Sequence, residues 1–136
     1  MQVKILDDMK KQGSKENRTD IRVYFNKEQT LGGTLLHKES PEPIDCAIWG
    51  ISMGGVRLSV ERDLCFDKGE KMVLASVSDR VRTVSSSPIE IEVVWSMHQP
   101  ESTLLFAGCR FTNIGDDSKA AFARIIRQEL DRRNRG

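Results

Sequence analysis

The stretch from residue 49 to residue 58, WGISMGGVRL, decides the fold of this 136-residue chain. An apolar stretch leads into a short Ser/Gly segment, and a second apolar stretch leaves it. In the second stretch Val56, Leu58 and Val60 alternate with Arg57 and Ser59, which is the two-residue period of a half-buried strand. The pattern predicts two strands joined by a tight turn.

The turn itself contains residue types that suit a ligand site. Gly54 and Gly55 can adopt positive φ and let a ligand approach the backbone closely. Ser52 offers a small hydroxyl that both donates and accepts hydrogen bonds. The alternative is an ordinary β-turn with glycines.

Residues 50–54 also match G-x-S-x-G, the nucleophile elbow of α/β-hydrolases, and His98 follows later in the chain. That elbow needs a helix directly after the serine. Here two glycines and a strand pattern follow instead, so we do not expect a hydrolase. We expect no catalytic residue and no enzyme activity.

Several other short stretches carry strand signals, with β-branched and aromatic residues between turn residues. Residues 40–43 and 67–69 are predicted turns, and residues 85–88 a loop. The missing alternation of strands and helices argues against a dinucleotide-binding fold. The predicted strands, besides that at 56–60, cover residues 21–25, 30–37, 44–49, 71–77, 89–95 and 104–111.

The C-terminal end differs, because apolar residues there recur at helical spacing. Asp116 and Asp117 favour a helix start, and the stripe includes Phe122, Ile126 and Leu130. We predict a helix over about 116–133 whose stripe packs on the core; a homodimer or partner surface is the alternative. Together these patterns predict an all-β fold, a run of antiparallel strands closed by a terminal helix.

Residues 1–17 are polar and basic and are predicted to form a flexible arm, with residues 18–136 forming the folded domain. Arg18 and Arg22 form an RxxxR pair where the arm meets the first strand. Two guanidinium groups at this spacing can close on one anionic ligand, since they bind phosphate oxygens and guanine O6 and N7.

The order of these pieces resembles the PilZ domain family. An RxxxR lies in an N-terminal arm, a (D/N)xSxxG turn follows about 28 residues later, and a late strand carries Gly-x-Arg-Phe, here residues 108–111. A C-terminal helix completes the layout. The resemblance covers about residues 15–133.

The resemblance implies a six-stranded antiparallel β-barrel with a C-terminal α-helix that binds the bacterial second messenger cyclic di-GMP. Arg18 and Arg22 would clamp phosphates and guanine edges. Ser52, Gly54 and Gly55 would hold the other side of the ligand. Ordering of the arm on binding would relay the signal to a protein partner in motility or biofilm control.

Gly50 departs from the family pattern, which has Asp or Asn at this position of the predicted site. That side chain would accept hydrogen bonds from guanine, so its absence costs on the order of 1–2 kcal/mol, or ten- to thirtyfold in affinity. Asp20 or a backbone carbonyl could substitute. Family members that lost ligand binding usually lack the arginines too, whereas here both are present.

Composition adds further expectations. The net charge of +1 argues against a globally basic nucleic-acid binder, so we expect no DNA or RNA partner. Three cysteines without a CxxC and two histidines predict buried reduced thiols, no metal site and no cofactor. The charged N-terminus lacks a signal peptide, and no run is long enough to span a membrane, so we expect a cytoplasmic protein.

Two other functions stay open from sequence alone. A PilZ-fold adaptor that no longer binds nucleotide would act through protein–protein contacts, and Arg18 and Arg22 would then be dispensable. An unrelated barrel that binds oligonucleotides is the other alternative. Aromatic residues make up only 6% of the chain, which counts against it.

Overall fold

A computed structural model describes residues 21–25, 30–61, 65–79, 83–85 and 87–135. The predicted arm, including Arg18 and Asp20, lies outside the described residues. The elements in chain order are β1 (Val23–Tyr24), β2 (Leu31–Leu36), β3 (Ile44–Ile51), β4 (Gly55–Glu61), β5 (Lys71–Ser78), β6 (Thr83–Ser85), β7 (Ile89–His98), β8 (Leu104–Asn113) and α1 (Asp116–Arg135).

Six of the strands close into an antiparallel barrel. They pair in the order β3-β2-β5-β7-β8-β4, and β4 pairs with β3 to close the ring. This confirms the predicted six-stranded barrel with a C-terminal helix. The very short strands β1 and β6 pair with β3 and β5, respectively. Strand β6 ends at Ser85, where the sequence predicted the start of a loop.

Strand β1 continues along the same edge of β3 that β2 uses. Strand β2 pairs with the first part of β3, up to Ile48, and β1 pairs with Gly50 and Ile51 at its end. Strand β4 occupies the other edge of β3. This arrangement places β1 directly beside the turn between β3 and β4.

In each strand, alternate side chains point inward, and these side chains fill the barrel interior. Met72 and Leu74 of β5 and Ile89, Ile91 and Val93 of β7 are buried. Removing these side chains from water is the main source of stability for such a fold. Cys46 and Cys109 are also buried, and both are free thiols.

Helix α1 packs its apolar stripe against the barrel. Phe122 is fully buried and its ring stacks on Phe111 of β8, with centroids 5.6 Å apart. At the helix start, Ser87 Oγ donates a hydrogen bond of 2.5 Å to Asp117 Oδ2. This bond lowers the pKa of Asp117 and fixes negative charge at the helix N-terminus. No described helix is long and apolar enough to cross a membrane.

Candidate functional site

Ser52 is the centre of the turn between β3 and β4. Its side chain is fully buried, and its Oγ accepts hydrogen bonds from the N–H groups of Gly54 (3.1 Å) and Gly55 (3.2 Å). The Ser52 N–H donates to the Gly55 carbonyl at 2.9 Å. The hydroxyl therefore satisfies backbone donors that the tight turn would otherwise leave unpaired. Strand β4 follows directly, so the helix that a nucleophile elbow requires is not formed after Ser52.

Arg22 reaches this turn from β1. Its Nη2 donates to Ser52 Oγ at 3.4 Å, across a separation of 30 residues along the chain. The bond is long and therefore weak, which leaves the guanidinium free to exchange Ser52 for a stronger acceptor. The structure thus brings together Arg22 and the Ser/Gly turn, the described parts of the two sequence motifs.

Gly55 is required for close packing rather than for its backbone angle. A Cβ at this position would lie 2.1 Å from the carbonyl oxygen of Cys109 and 3.1 Å from Arg110 Cα. Positive φ was the sequence-based reason for the glycines at 54 and 55, and it is wrong, because Gly69 is the described glycine with positive φ. Gly54 is exposed, and its carbonyl accepts from the Phe111 N–H at 2.9 Å.

Gly50 makes room for an aromatic ring. The register pairs Gly50 with Tyr24, and a Cβ at 50 would lie 2.8 Å from Tyr24 Cδ1 and 2.9 Å from Cε1. The ring of Tyr24 thus covers the position from which the Asp or Asn of the family motif would project. The glycine at position 50 and the tyrosine at position 24 therefore fit together, because the Tyr24 ring fills the space that a side chain at 50 would need.

The Tyr24 ring belongs to a row of residues that crosses the outer face of the barrel. In register, Tyr24 pairs with Gly50, Gly50 with Arg57, Arg57 with Gly108, and Gly108 with Trp95. The Arg57 guanidinium carbon lies 5.0 Å from the centroid of the Tyr24 ring and 5.4 Å from that of Trp95, both cation–π distances.

Sequence reasoning missed this row. Trp95 is 37% exposed on the outer face. Arg57 is half-buried, and its Nε is buried without a hydrogen-bond partner among the described residues. The sequence signal that could have predicted this row is the pair Gly50 and Gly108. Both glycines lie within strands, and the residues beside them on the outer face are large.

The next row toward the turn carries a paired cation. Arg110 lies opposite Gly55, and its Nη2 binds Glu92 Oε1 at 2.7 Å. Because this ion pair is exposed, it is screened by water and salt. Within the described ranges, no group of three or more His, Cys, Asp or Glu side chains could hold a metal ion.

Comparison with known proteins identifies the family. The PilZ domain family model matches residues 16–128, which is most of the chain. The chain belongs to the PilZ domain family. No curated protein matches the sequence significantly.

Solved structures with the same fold include three PilZ proteins. The PilZ domain of YcgR from Escherichia coli with c-di-GMP has a TM-score of 0.56 at 15% identity, covering 85% of this chain and 92% of that one. The Bacillus subtilis inhibitor of motility MotI/DgrA gives 0.59 at 21% identity, covering 82% and 51%. The K. pneumonia MrkH–c-di-GMP complex gives 0.65 at 17% identity, covering 85% and 53%.

The chain spans about half the length of the MotI and MrkH chains. At these low identities the likeness establishes a shared fold. The ligands in those structures belong to those proteins.

Proposed function

We propose that this protein binds cyclic di-GMP at the junction of β1 and the β3–β4 turn, with Arg18 and Arg22 on one side and Ser52, Gly54 and Gly55 on the other. The observation that carries the proposal is the contact between Arg22 Nη2 and Ser52 Oγ. It places the described arginine of the RxxxR pair against the turn of the second motif. Family membership and ligand-bound PilZ structures of the same fold support the same function.

The chemistry of the site suits a doubly anionic dinucleotide. Guanidinium groups bind phosphate oxygens through charge-assisted hydrogen bonds and guanine through O6 and N7. The exposed Gly54 leaves backbone accessible on the turn side. Arg57 adds a second cation on the same outer face as Arg22, which raises the local positive potential although the net charge of the chain is only +1.

We further propose that binding orders residues 1–20 and that a protein partner reads this change through helix α1. Ile21, the residue that follows this segment, lines a groove with Met53, Ile126 and Leu130. Arg133 of α1 donates a hydrogen bond to the Tyr24 carbonyl and contacts Glu129. The β1 region therefore contacts the β3–β4 turn through Arg22 and helix α1 through the Tyr24 carbonyl.

Thermal unfolding tests the binding proposal. A ligand that binds only the folded state raises the midpoint by an amount that grows with the logarithm of one plus the ratio of ligand concentration to Kd. Cyclic di-GMP should raise the midpoint of the wild-type protein, whereas GMP at the same concentration should not. Lys38→Gln, which removes an exposed positive charge in the turn after β2, should respond like the wild type, and Arg22→Ala should lose the shift.

Limited proteolysis tests the relay. Trypsin sites at Lys10, Lys11, Lys15 and Arg18 lie in the segment that ordering would protect. Saturating cyclic di-GMP should slow cleavage there and leave cleavage at Lys38, in the turn after β2, unchanged. Equal cleavage rates with and without ligand would refute ordering, while the thermal shift still reports binding.

A PilZ-fold adaptor without nucleotide binding is the second candidate. The observation that favours it is the Tyr24 ring, which occupies the position of the Asp or Asn side chain in the family motif. An adaptor predicts that Arg22→Ala binds its protein partner as the wild type does. It also predicts no thermal shift with cyclic di-GMP in either protein.

A further inference from the structure

Arg57 lies within cation–π distance of two aromatic rings on the outer face of the barrel. Tyr24 approaches from β1, beyond β3, and Trp95 approaches from β7, beyond β8, at 5.0 and 5.4 Å from the guanidinium carbon. All N–H donors of a guanidinium lie in its plane, so Arg57 makes its hydrogen bonds through the edge of that group.

The donors of this edge are not used within the described part of the chain. Arg57 Nε is buried and has no hydrogen-bond acceptor among the described residues. A buried donor without a partner destabilises the folded state, so such a group calls for an explanation. A ligand acceptor that arrives at the edge would remove this cost.

Two glycines build the stack. A Cβ at Gly50 would lie 2.8 Å from the Tyr24 ring, and a Cβ at Gly108 would lie 2.2 Å from Trp95 Nε1. Any side chain at either position would push a ring away from Arg57. The row of Tyr24, Gly50, Arg57, Gly108 and Trp95 is thus a specific arrangement across five strands rather than a chance surface contact.

The stack adjoins the proposed nucleotide site. Arg22 and Tyr24 flank the fully buried Val23, so they project from the same outer face, about 7 Å apart. Ser52 lies two residues after Gly50, and it accepts from Arg22. A ligand held by Arg22 at the turn therefore lies on the outer face that carries Tyr24 and, further along the same row, Arg57 and Trp95.

Resting on the proposed function, we infer that this stack is the guanine-recognition element of the site and takes over the role of the carboxylate or amide missing at position 50. The Arg57 edge donates to O6 and N7 of one guanine, and Trp95 provides a surface on which a base stacks. A carboxylate would instead accept from the guanine N1–H and N2–H groups. The site therefore donates hydrogen bonds to the guanine acceptors O6 and N7, whereas the family motif accepts hydrogen bonds from the guanine N1–H and N2–H groups.

This exchange predicts a distinct selectivity. The inosine analogue cyclic di-IMP keeps O6 and N7 and lacks the 2-amino group, so it should bind within about twofold of cyclic di-GMP. Cyclic di-AMP presents a donor amine where guanine has O6, and it should bind more than about tenfold more weakly because donor would face donor. Calorimetric titration of the full chain with the three dinucleotides measures this order.

The chain offers a matched pair of fluorescence variants, because it contains two tryptophans. Trp49→Phe leaves Trp95 as the reporter, and Trp95→Phe leaves Trp49, which is half-buried and donates to Ser59 Oγ. Stacking of a purine on an indole quenches its emission. Cyclic di-GMP should quench Trp49→Phe and leave Trp95→Phe nearly unchanged.

Titration of Arg57→Gln completes the test, with Lys38→Gln as the control for loss of one exposed positive charge. Arg57→Gln should bind cyclic di-GMP about tenfold more weakly, the loss expected for one bidentate guanine contact, and Lys38→Gln should bind as the wild type does. Arg57→Lys keeps the charge without the planar edge and should not restore affinity.

The outcomes separate this inference from the proposed function. If the wild type binds cyclic di-GMP but Arg57→Gln keeps full affinity and Trp95 emission does not change, the stack is not part of the site and the inference fails. If cyclic di-IMP binds more than about tenfold more weakly than cyclic di-GMP, the site reads the 2-amino group and the inference also fails. If the wild type binds no dinucleotide, the proposed function itself fails.

Discussion

The ring of Tyr24 lies over Gly50, with Cδ1 and Cε1 2.8 and 2.9 Å from the position that a Cβ would occupy. The family motif that this stretch resembles has Asp or Asn there. The Tyr24 ring in its observed position and any side chain at 50 exclude each other. From the sequence, Gly50 appears only to lack the Asp or Asn side chain of the motif. In the structure this glycine is coupled to Tyr24, which pairs with it on the neighbouring strand.

Restoring the motif with Gly50→Asp should destabilise the protein. The new side chain must displace the Tyr24 ring, which costs about 1–3 kcal/mol in the free energy of unfolding. Urea denaturation measures this loss. In the Tyr24→Ala/Gly50→Asp double variant the clash is gone, so the two effects should not add. Strict additivity of the two single changes would contradict the coupling.

Gly55→Ala should be far more damaging than Gly54→Ala. The Cβ at 55 would meet the Cys109 carbonyl at 2.1 Å, and backbone on both strands must move. We expect a loss of about 3 kcal/mol or a failure to fold for Gly55→Ala, and a change within about 0.5 kcal/mol for the exposed Gly54→Ala. Thermal and urea unfolding provide the measurement. Equal effects at the two positions would show that the turn tolerates a side chain at 55.

Ser52→Ala should reduce stability even without ligand. It removes the acceptor for the Gly54 and Gly55 N–H groups, the second of which belongs to a buried residue, at a cost of about 1–3 kcal/mol. Ser40→Ala, in the exposed turn after β2, is the control and should change stability little. If Ser52→Ala unfolds at the same urea concentration as the wild type, the hydroxyl is not needed to close the turn.

The thiols should differ sharply in reactivity. Burial raises the pKa of Cys46 to about 12, with smaller contributions from Cys109 and Asp45, and burial raises the pKa of Cys109 to about 12. Because both pKa values lie far above 8, these thiols stay protonated and unreactive at pH 8. A thiol reagent at that pH should modify only the exposed Cys65 in the native protein and all three cysteines in denaturant. Fast native modification of Cys65→Ser would contradict this.

The sequence predicted most of the barrel because its strands alternate cleanly. The alternating set Val56, Leu58 and Val60 and the helical stripe with Phe122 and Ile126 are buried as expected. The helix begins at Asp116, where acidic residues predicted its start. These features follow from local periodicity, which a single sequence displays directly.

The Tyr24–Arg57–Trp95 row could not be predicted in the same way. It depends on the register of five strands, and alternation within one strand says nothing about which residue lies opposite. The reason for Gly55 also lay elsewhere, in the approach of the Cys109 carbonyl from β8. Local sequence identified which residues were unusual, and only the pairing of strands explained why.

Calorimetric titration with cyclic di-GMP, of the wild type and of an Arg18→Ala/Arg22→Ala double variant, tests the central claim most directly. The account predicts saturable binding by the wild type and no measurable binding by the variant, with equal unfolding midpoints for the two proteins without ligand. Absence of heat with the wild type at high micromolar ligand, or undiminished binding by the variant, would contradict it.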